Sequence, residues 1–472
     1  MNAPLKAAPC RTESDLLGRR DVPAQAWYGI HTLRAIENFS ISGVPIGRYP
    51  QLVAALAVIK QAAALANCEL GILAPAKASV IGEACDDIRQ GAWHEQFVVD
   101  MIQGGAGTST NMNANEVIAN LALARMGRAR GDYARLHPNE DVNLSQSTND
   151  VYPTALRLAL HAGAQTLLVA LGALREACAE RASAFAGVLK MGRTQLQDAV
   201  PMTLGQEFGS YATMLGNDER ALSHAMAGLL EISLGATAIG TGINAPPGYA
   251  DVVRRHLAAL TALSLTTAPD LVCATQDTDA LVALSAVLKR LAIKLSKICN
   301  DLRLLSSGPG AGLGDIALPP VQAGSSIMPG KVNPVIPEVV NQVAFEVIGN
   351  DLTVCMAAEA GQLQLNAFEP IIAFSLFKSL SHLEAGCRVL AQRCVSGIGA
   401  NAEALRAGVM GSAALVTALS PRLGYAQSGA LARQALASGR SVVELVLEQG
   451  LMSRAQLDEL LAPERLTGAP AA

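Results

Sequence analysis

The sequence predicts an all-α fold built on a long central helical bundle, and two observations carry this prediction. Aromatic residues make up only 4% of the chain while alanine and leucine are abundant, a balance that suits packed helices better than sheets. Across residues 277–305, apolar residues recur at intervals of three and four, which is the period of one helix face. A helix of that length is a rod of about 40 Å. Such a rod is too long for a compact globule and suits a bundle.

Four stretches with this periodicity outline the bundle, in the order 151–186, 204–234, 277–305 and 337–362. The first part of the chain mixes shorter helical stretches with turn-rich segments, and the last part predicts two short helices. There, Ser441 with Glu444 and Ser453 with Gln456 have the spacing of capping boxes, and Gly450 between them ends the first helix. We therefore expect three domains, an N-terminal mainly helical domain, the bundle and a small C-terminal helical domain, over 1–145, 146–403 and 404–472.

Composition excludes several classes of protein. The chain of 472 residues is 50% hydrophobic, enough to bury a large core, and has nine cysteines. None of them forms a C-x-x-C pair, so neither a disulfide framework nor a zinc site is indicated. The N-terminus lacks the apolar stretch of a signal peptide, and later apolar runs are interrupted before the length of a membrane span. The net charge of −4 comes without a run of lysine or arginine that could follow a phosphate backbone. We expect a soluble cytoplasmic protein that binds neither nucleic acid nor membranes.

The most informative segment is GSSIMPGKVNP, residues 324–334. Two glycines and two prolines interrupt regular structure in it, and the residues that precede it from 306 onward are richer still in glycine and proline. This composition predicts a long loop over 306–334 that closes like a lid. The loop carries two adjacent serines, one lysine and one asparagine, and ordered polar residues on loops tend to be functional.

Three further segments place polar residues before predicted helices. They begin at Gly107, Asn143 and Gly192. One such segment on its own is typical of helix capping. Together, hydroxyls and backbone amides clustered at helix N-termini form a receptor for carboxylate groups. The polar residues in these segments are Thr108, Ser109, Asn111, Asn113, Ser147, Thr148, Asn149, Asp150, Thr194, Gln195 and Gln197.

Residues 324–333 match the motif GSSxMPxKxN at every fixed position, and with this motif the chain resembles the aspartase/fumarase superfamily. The three other polar segments occur in that family's order and spacing, so the resemblance covers nearly the whole chain. It implies a homotetramer with a multi-helix core and active sites shared between subunits. It also implies a small-molecule substrate and no organic cofactor. No histidine lies at metal-ligand spacing, while activation by a divalent cation at a second site stays open.

The resemblance assigns a role to each matching residue. Ser325 would be the base that removes a proton from the carbon next to a carboxylate. Glu338, at the start of the next helix, is expected to support the site or the helix rather than touch the substrate. The expected substrate ligands are Thr108, Ser147, Thr148 and Ser326 for the β-carboxylate of an amino-dicarboxylic acid, Lys331 and Asn333 for its α-carboxylate, and Asn149, Thr194 and Gln195 for its amino group.

The physical chemistry agrees with these roles. Removing a proton beside a carboxylate yields a dianionic enediolate, which fixed donors must stabilise, each worth about 10²–10³ in rate. A serine is a poor base unless its alkoxide is stabilised, and a closing loop with backbone amides and a nearby lysine supplies that stabilisation. The alternatives are that Ser325 is a turn hydroxyl and that Lys331 is an exposed loop lysine.

Two positions favour an ammonia-lyase of this superfamily over a hydratase. Fumarases typically read GRTHLQDA and SQSSND where this chain reads GRTQLQDA and SQSTND. Gln195 cannot titrate, so it suits recognition of an amino group better than proton transfer in water addition, although some aspartases carry histidine there. We expect reversible elimination of ammonia from L-aspartate to give fumarate. The alternatives are fumarate hydration to malate and a catalytically silent helical scaffold; relatives that act on argininosuccinate or adenylosuccinate would need room for a large leaving group.

Overall fold

Long helices dominate the structure, a computed structural model that describes residues 9–468. The α-helices are α1 (Ile30–Asn38), α2 (Pro50–Glu69), α3 (Pro75–Arg89), α4 (Thr108–Arg125), α5 (Thr148–Ala184), α6 (Leu204–Gly228), α7 (Tyr249–Thr261), α8 (Leu271–Gln276), α9 (Asp279–Leu305), α10 (Val335–Glu359), α11 (Glu369–Arg393), α12 (Ala402–Gly411), α13 (Val416–Leu423), α14 (Tyr425–Ser438), α15 (Val442–Glu448), α16 (Arg454–Leu460) and α17 (Pro463–Thr467). The predicted all-α fold is confirmed.

The strands form four small two-stranded sheets within the described residues. The pairs are β1 (Cys10–Asp15) with β2 (Gly18–Pro23), β3 (Leu189–Thr194) with β4 (Gln197–Thr203), β5 (Glu231–Ile232) with β6 (Thr266–Thr267), and β7 (Ile316–Ala317) with β8 (Gly399–Ala400). The β5–β6 pair is parallel and the others are antiparallel. Only the β3–β4 and β7–β8 pairs bear on the site, because they hold the hairpin and the root of the loop described below.

The four predicted bundle helices are confirmed as α5, α6, α9 and α10. In α9 the apolar residues that recur at three and four, from Leu281 to Leu305, are all buried, as the period requires. A fifth long helix, α11, was not predicted. Its buried residues have the same spacing, as Ile372, Leu376 and Leu380 illustrate.

The chain separates into two compact units that are interleaved along the sequence. The first unit takes its described residues from Met1–Leu168, Arg220–Arg290 and Phe345–Leu383, and the second from Val169–Glu219, Leu291–Ala344 and Glu384–Ala472. The division into domains at residues 145 and 403 stays a prediction.

In the first unit, α2 is buried on nearly all sides and packs against α3, α4 and α7. By length and composition, α2 and α5 are each apolar enough to cross a bilayer, contrary to the expectation that apolar runs stop short of that length. In α2, 78% of the apolar window is buried inside the protein. The apolar character of α2 is therefore explained by the core that it forms.

In the second unit, the C-terminal helices enclose a core of their own that includes Leu419, Leu431, Leu445 and Leu457. Both predicted capping boxes are present at α15 and α16, with reciprocal side-chain and backbone hydrogen bonds. Gly450 follows α15 with a φ of 62°, the left-handed conformation that commonly ends a helix.

Candidate active site

The polar residues from Thr108 onward lie inside α4 rather than before it. Gly107 precedes the helix with a φ of 86°, and a Cβ at this position would lie 2.4 Å from the ring of Tyr152, so only glycine fits. Thr108 is the first residue of α4, is half-buried and donates its hydroxyl to the Gly105 carbonyl at 2.7 Å. The prediction that these polar residues precede the helix is therefore wrong, and Asn111 is buried on the first turn of α4.

A second polar cluster lies at the start of α5, as predicted. The Asn149 backbone N–H donates to Ser147 Oγ at 3.3 Å, and the Ser147 N–H donates to Asp150 Oδ1 at 3.0 Å. The other carboxylate oxygen of Asp150 accepts from the backbone N–H groups of Gly235 and Thr237. Burial raises the pKa of Asp150 to about 6, against these hydrogen bonds, which lower it. Asp150 therefore joins the start of α5 to the backbone of residues 235 and 237.

Asn149 is also held in place by a loop of the first unit. Its side-chain Nδ2 donates to the Ala238 carbonyl at 2.7 Å. This bond orients the amide so that its oxygen can accept from an ammonium group, since an amide carries donor and acceptor on opposite arms.

Asn111 connects the starts of α4 and α5. Its Nδ2 donates to Thr148 Oγ1 at 3.1 Å and to Asn143 Oδ1 at 3.1 Å. Asn143 Oδ1 also accepts from Asn115 Nδ2 at 3.2 Å and from Lys60 Nζ at 2.8 Å. Because Thr148 Oγ1 accepts from Asn111, its own proton is directed elsewhere and is available to a carboxylate.

Lys60 places a buried amine next to the amide of Asn143. It is fully buried in α2, and its Nζ donates to the amide oxygens of Asn143 at 2.8 Å and Gln146 at 2.9 Å. Burial lowers the pKa of Lys60 from 10.5 to about 7, with the charge of Asp150 opposing the shift. Sequence reasoning missed Lys60. The available signal was the one basic residue in a mainly apolar helix.

Thr194 and Gln195 lie at the tip of a β-hairpin, so the prediction that they precede a helix is wrong. Thr194 ends β3, Gln197 begins β4, and these two residues are paired in the register. Gln195 and Leu196 form the turn between them, with φ of 53° and 64°, as in a type I′ turn. The side chains of Thr194 and Gln195 are exposed, and α6 begins only at Leu204.

The loop predicted over 306–334 is folded on itself around Ser325. Ser325 Oγ accepts hydrogen bonds from the backbone N–H groups of Ile327 at 3.2 Å and Met328 at 3.0 Å. The Gly324 N–H donates to the Lys331 carbonyl at 2.9 Å, and a Cβ on Gly324 would lie 2.5 Å from that oxygen. Donors aimed at an oxygen favour its anionic form, so this turn is suited to an alkoxide.

Lys331 and Asn333 line a cavity of about 560 Å³ in the second unit, together with Arg303, Ser306 and Ser307. Asn333 Nδ2 donates to the Gly324 carbonyl at 2.6 Å, while the lysine is exposed. Two cations and several hydroxyls around one cavity provide a positive environment for a carboxylate. Ser326 is exposed on the same loop.

The predicted site residues thus fall into separate groups. The first unit holds Thr108 and the cluster of Ser147, Thr148 and Asn149, and the second unit holds the hairpin tip and the loop. Glu338 lies in the first turn of α10, as predicted. Within the described residues, no group of three or more His, Cys, Asp or Glu side chains is arranged to hold a metal ion.

The sequence matches two family models, one described as Lyase over residues 18–349 and one described as Fumarase C C-terminus over residues 415–468. The chain belongs to the aspartase/fumarase superfamily. Among relatives in this superfamily, the aspartate ammonia-lyase of Pseudomonas aeruginosa is 59% identical over 460 residues and covers 97% of each chain. The aspartate ammonia-lyase of Escherichia coli is 51% identical over 457 residues, which are 97% of this chain and 96% of its own.

Solved structures of the superfamily share the fold. A fumarate lyase:delta crystallin from Brucella melitensis, solved with bound cobalt, superposes with a TM-score of 0.95 at 55% identity and covers 98% of this chain and 100% of its own. A class II fumarase from Schistosoma mansoni superposes with a TM-score of 0.92 at 34% identity, with the same coverage. The superfamily assignment therefore rests on the whole chain rather than on one motif.

Proposed function

We propose that this protein is an aspartate ammonia-lyase that reversibly eliminates ammonia from L-aspartate to give fumarate. The observation that carries the proposal is the 59% identity to aspartate ammonia-lyases over nearly the full length of both chains. The match to the class II fumarase is 34%, and Gln195 replaces the histidine typical of fumarases. Fumarate hydration is therefore the second candidate.

The base in our proposal is Ser325. Its alkoxide takes a proton from the carbon next to the β-carboxylate, and the electron pair of that C–H bond moves into the carboxylate to form an enediolate. The pair then returns to form the carbon–carbon double bond as the C–N bond breaks and ammonia leaves. The two backbone N–H groups on Ser325 Oγ support this role because they stabilise the alkoxide before reaction.

The enediolate needs donors, and Thr108, Ser147, Thr148 and Ser326 supply them in this proposal, Thr108 by turning to the substrate the proton that it donates to the Gly105 carbonyl here. Thr148 is the best supported, because Asn111 occupies its acceptor side and leaves its proton for the substrate. The electron sink is the substrate's own carboxylate, so the reaction needs no organic cofactor. Activation by a divalent cation stays a prediction.

The remaining contacts fix the orientation of the substrate in this proposal. Lys331 and Asn333 hold the α-carboxylate at the cavity that they line. Asn149, Thr194 and Gln195 surround the amino group, where neutral amide and hydroxyl oxygens accept from ammonium without competing for its proton.

We further propose a cytoplasmic homotetramer with shared active sites. An apolar stripe on α10 supports self-association: Phe345, Leu352 and Met356 are 63%, 63% and 65% exposed at the spacing of one helix face, and such stripes favour a helical partner. The nine cysteines are free, which suits a reducing compartment.

The test compares two substrates on the purified protein. Fumarate formation, followed by its ultraviolet absorbance, should be far faster from L-aspartate than from L-malate, because a site built to pair with an amino group discriminates strongly against an analogue that leaves its polar groups unpaired. Malate turnover equal to or faster than aspartate turnover would contradict the proposal.

A further inference from the structure

One buried carboxylate lies between the two catalytic elements of the second unit. Asp315 is 4% exposed and precedes β7, at the root of the catalytic loop. Arg193 Nη1 donates to Asp315 Oδ2 at 2.6 Å, and Arg193 Nη2 lies 3.4 Å from Oδ1. Lys190 Nζ lies 3.7 Å from Asp315 Oδ2 and 2.5 Å from Glu207 Oε2. Two cations and two carboxylates thus form one cluster, in which Lys190 and Asp315 are buried and Arg193 and Glu207 are partly buried.

The backbone of Asp315 is fixed as firmly as its side chain. Its N–H donates to the Leu305 carbonyl at 2.8 Å, and its carbonyl accepts from the Asn401 N–H at 3.1 Å. The next two residues pair with β8. From 318 to 334, in contrast, the hydrogen bonds within the described chain join the loop to itself or to the start of α10. The loop therefore has a rigid root at Asp315 and an outer part that the rest of the chain does not hold by hydrogen bonds.

Arg193 connects this cluster to the hairpin. It directly precedes Thr194 and lies just after a break in the strand register at Met191, where the ladder alone does not fix the direction of β3. The two turn residues beyond Thr194 adopt left-handed conformations, which persist only when surrounding structure determines them. The guanidinium of Arg193, paired with Asp315 through two hydrogen bonds, supplies that restraint.

We propose that Asp315 is a positioning residue for the elimination, because through Arg193 it anchors the hairpin that carries the proposed amino-group ligands Thr194 and Gln195. This inference rests on the proposed function. Asp315 touches no substrate and acts through Arg193. Loss of its charge frees the hairpin while the carboxylate ligands of the first unit and the local hydrogen bonds of the outer loop keep their partners.

The experiment measures the reverse reaction, in which ammonium and fumarate are separate substrates. Asp315→Asn should raise the KM for ammonium by about fivefold or more and change the KM for fumarate by less than about twofold, a split that identifies a binding element specific to one substrate. Arg193→Lys keeps the charge but loses the planar fork, and it should give the same split. Hydrogen–deuterium exchange of Asp315→Asn should be faster over 190–203 and 306–317.

The matched control is Asp218→Asn. Asp218 is also a fully buried carboxylate of the second unit, paired with Lys294 at 2.9 Å. Asp218→Asn should lower stability without the selective change in the KM for ammonium. Asp315→Glu should give a KM for ammonium between those of the wild type and Asp315→Asn. Equal changes in both KM values, no change in either, or the same split in Asp218→Asn would overturn the inference.

Two further outcomes keep the test decisive. If Asp315→Asn does not fold, Arg193→Lys decides. If the wild-type protein makes no fumarate from aspartate, the proposed function fails, and unchanged exchange over 190–203 in the variant would then overturn the structural part of the inference separately.

Discussion

Replacing Lys60 with methionine should change how the stability of the protein depends on pH. Lys60 is fully buried and donates to two neutral amides, and burial lowers its pKa from 10.5 to about 7. Between these values the unfolded chain binds a proton that the folded chain does not. The free energy of unfolding therefore rises with pH across this window, by about 1.4 kcal/mol per pH unit and about 5 kcal/mol in total.

The sign follows from the charge that burial disfavours. Below pH 7 both states carry the ammonium and the folded state bears the full penalty of burying it, so this contribution to stability is flat there. Above pH 7 the folded state loses the proton and is relieved of that penalty. The difference in unfolding free energy between wild type and Lys60→Met should thus be constant at acidic pH and should rise in favour of wild type from pH 7 toward pH 10.

Urea unfolding at a fixed protein concentration, at half-unit steps from pH 6 to pH 10, measures this difference. The control is Gln61→Met, a change at the next position of α2 that is also buried but adds or removes no titrating group. A difference between wild type and Lys60→Met that stays flat across the window, or that Gln61→Met reproduces, would refute the view that Lys60 is buried as a destabilised cation.

Four further predictions concern the proposed site. Ser325→Ala should lower kcat by at least about 10³ with the fold and most of the aspartate affinity intact; a near-normal kcat would assign the base elsewhere. Lys331→Met should raise the KM for aspartate strongly, because the α-carboxylate loses its charge partner, and an unchanged KM would make it only a loop residue. Asn111→Ala should lower kcat about tenfold, because it releases the hydroxyl of Thr148 that Asn111 orients. The control is Asn113→Ala on the same helix, whose amide is hydrogen-bonded to the backbone of residues 96 and 98; it should lower the melting temperature and leave kcat unchanged. Equal effects of the two changes on kcat would refute the orienting role. Inactive Ser325→Ala and Thr194→Val proteins should regain activity when they are unfolded and refolded as a mixture, since some shared sites then contain neither change; verified mixed tetramers that stay inactive would show that both residues of a site come from one chain.

The long helices could be predicted because their buried residues are apolar and recur at a regular interval in the sequence. In α9, burial recurs at the period that the apolar residues display. Helix α11 has the same periodicity at Ile372, Leu376, Leu380 and Leu383, which are all buried, so the same rule applies to it. The loop around Ser325 was predicted from its breakers and its motif, and the turn within it agrees.

The hairpin and the buried network could not be predicted in the same way. The turn at Gln195 and Leu196 uses left-handed backbone without glycine, asparagine or aspartate, so it lacks the residues by which such turns are recognised. Lys60 and Asn143 are 83 positions apart and meet only in the folded chain. No local pattern indicates that the amide of Asn143 accepts from a buried ammonium.

If the hairpin tip binds the amino group as proposed, its backbone limits how amine specificity can be redesigned. Position 195 is exposed and free in size, so a shorter side chain there could make room for a larger amine. Its φ of 53°, however, lies in the region where a Cβ crowds the following carbonyl, at about 1–2 kcal/mol per residue, and where a branched Cβ is worse. Asparagine, aspartate, histidine and glycine tolerate this conformation, while valine, isoleucine and threonine do not. A library that varies position 195 should therefore sample side-chain length and polarity and leave out branching at Cβ.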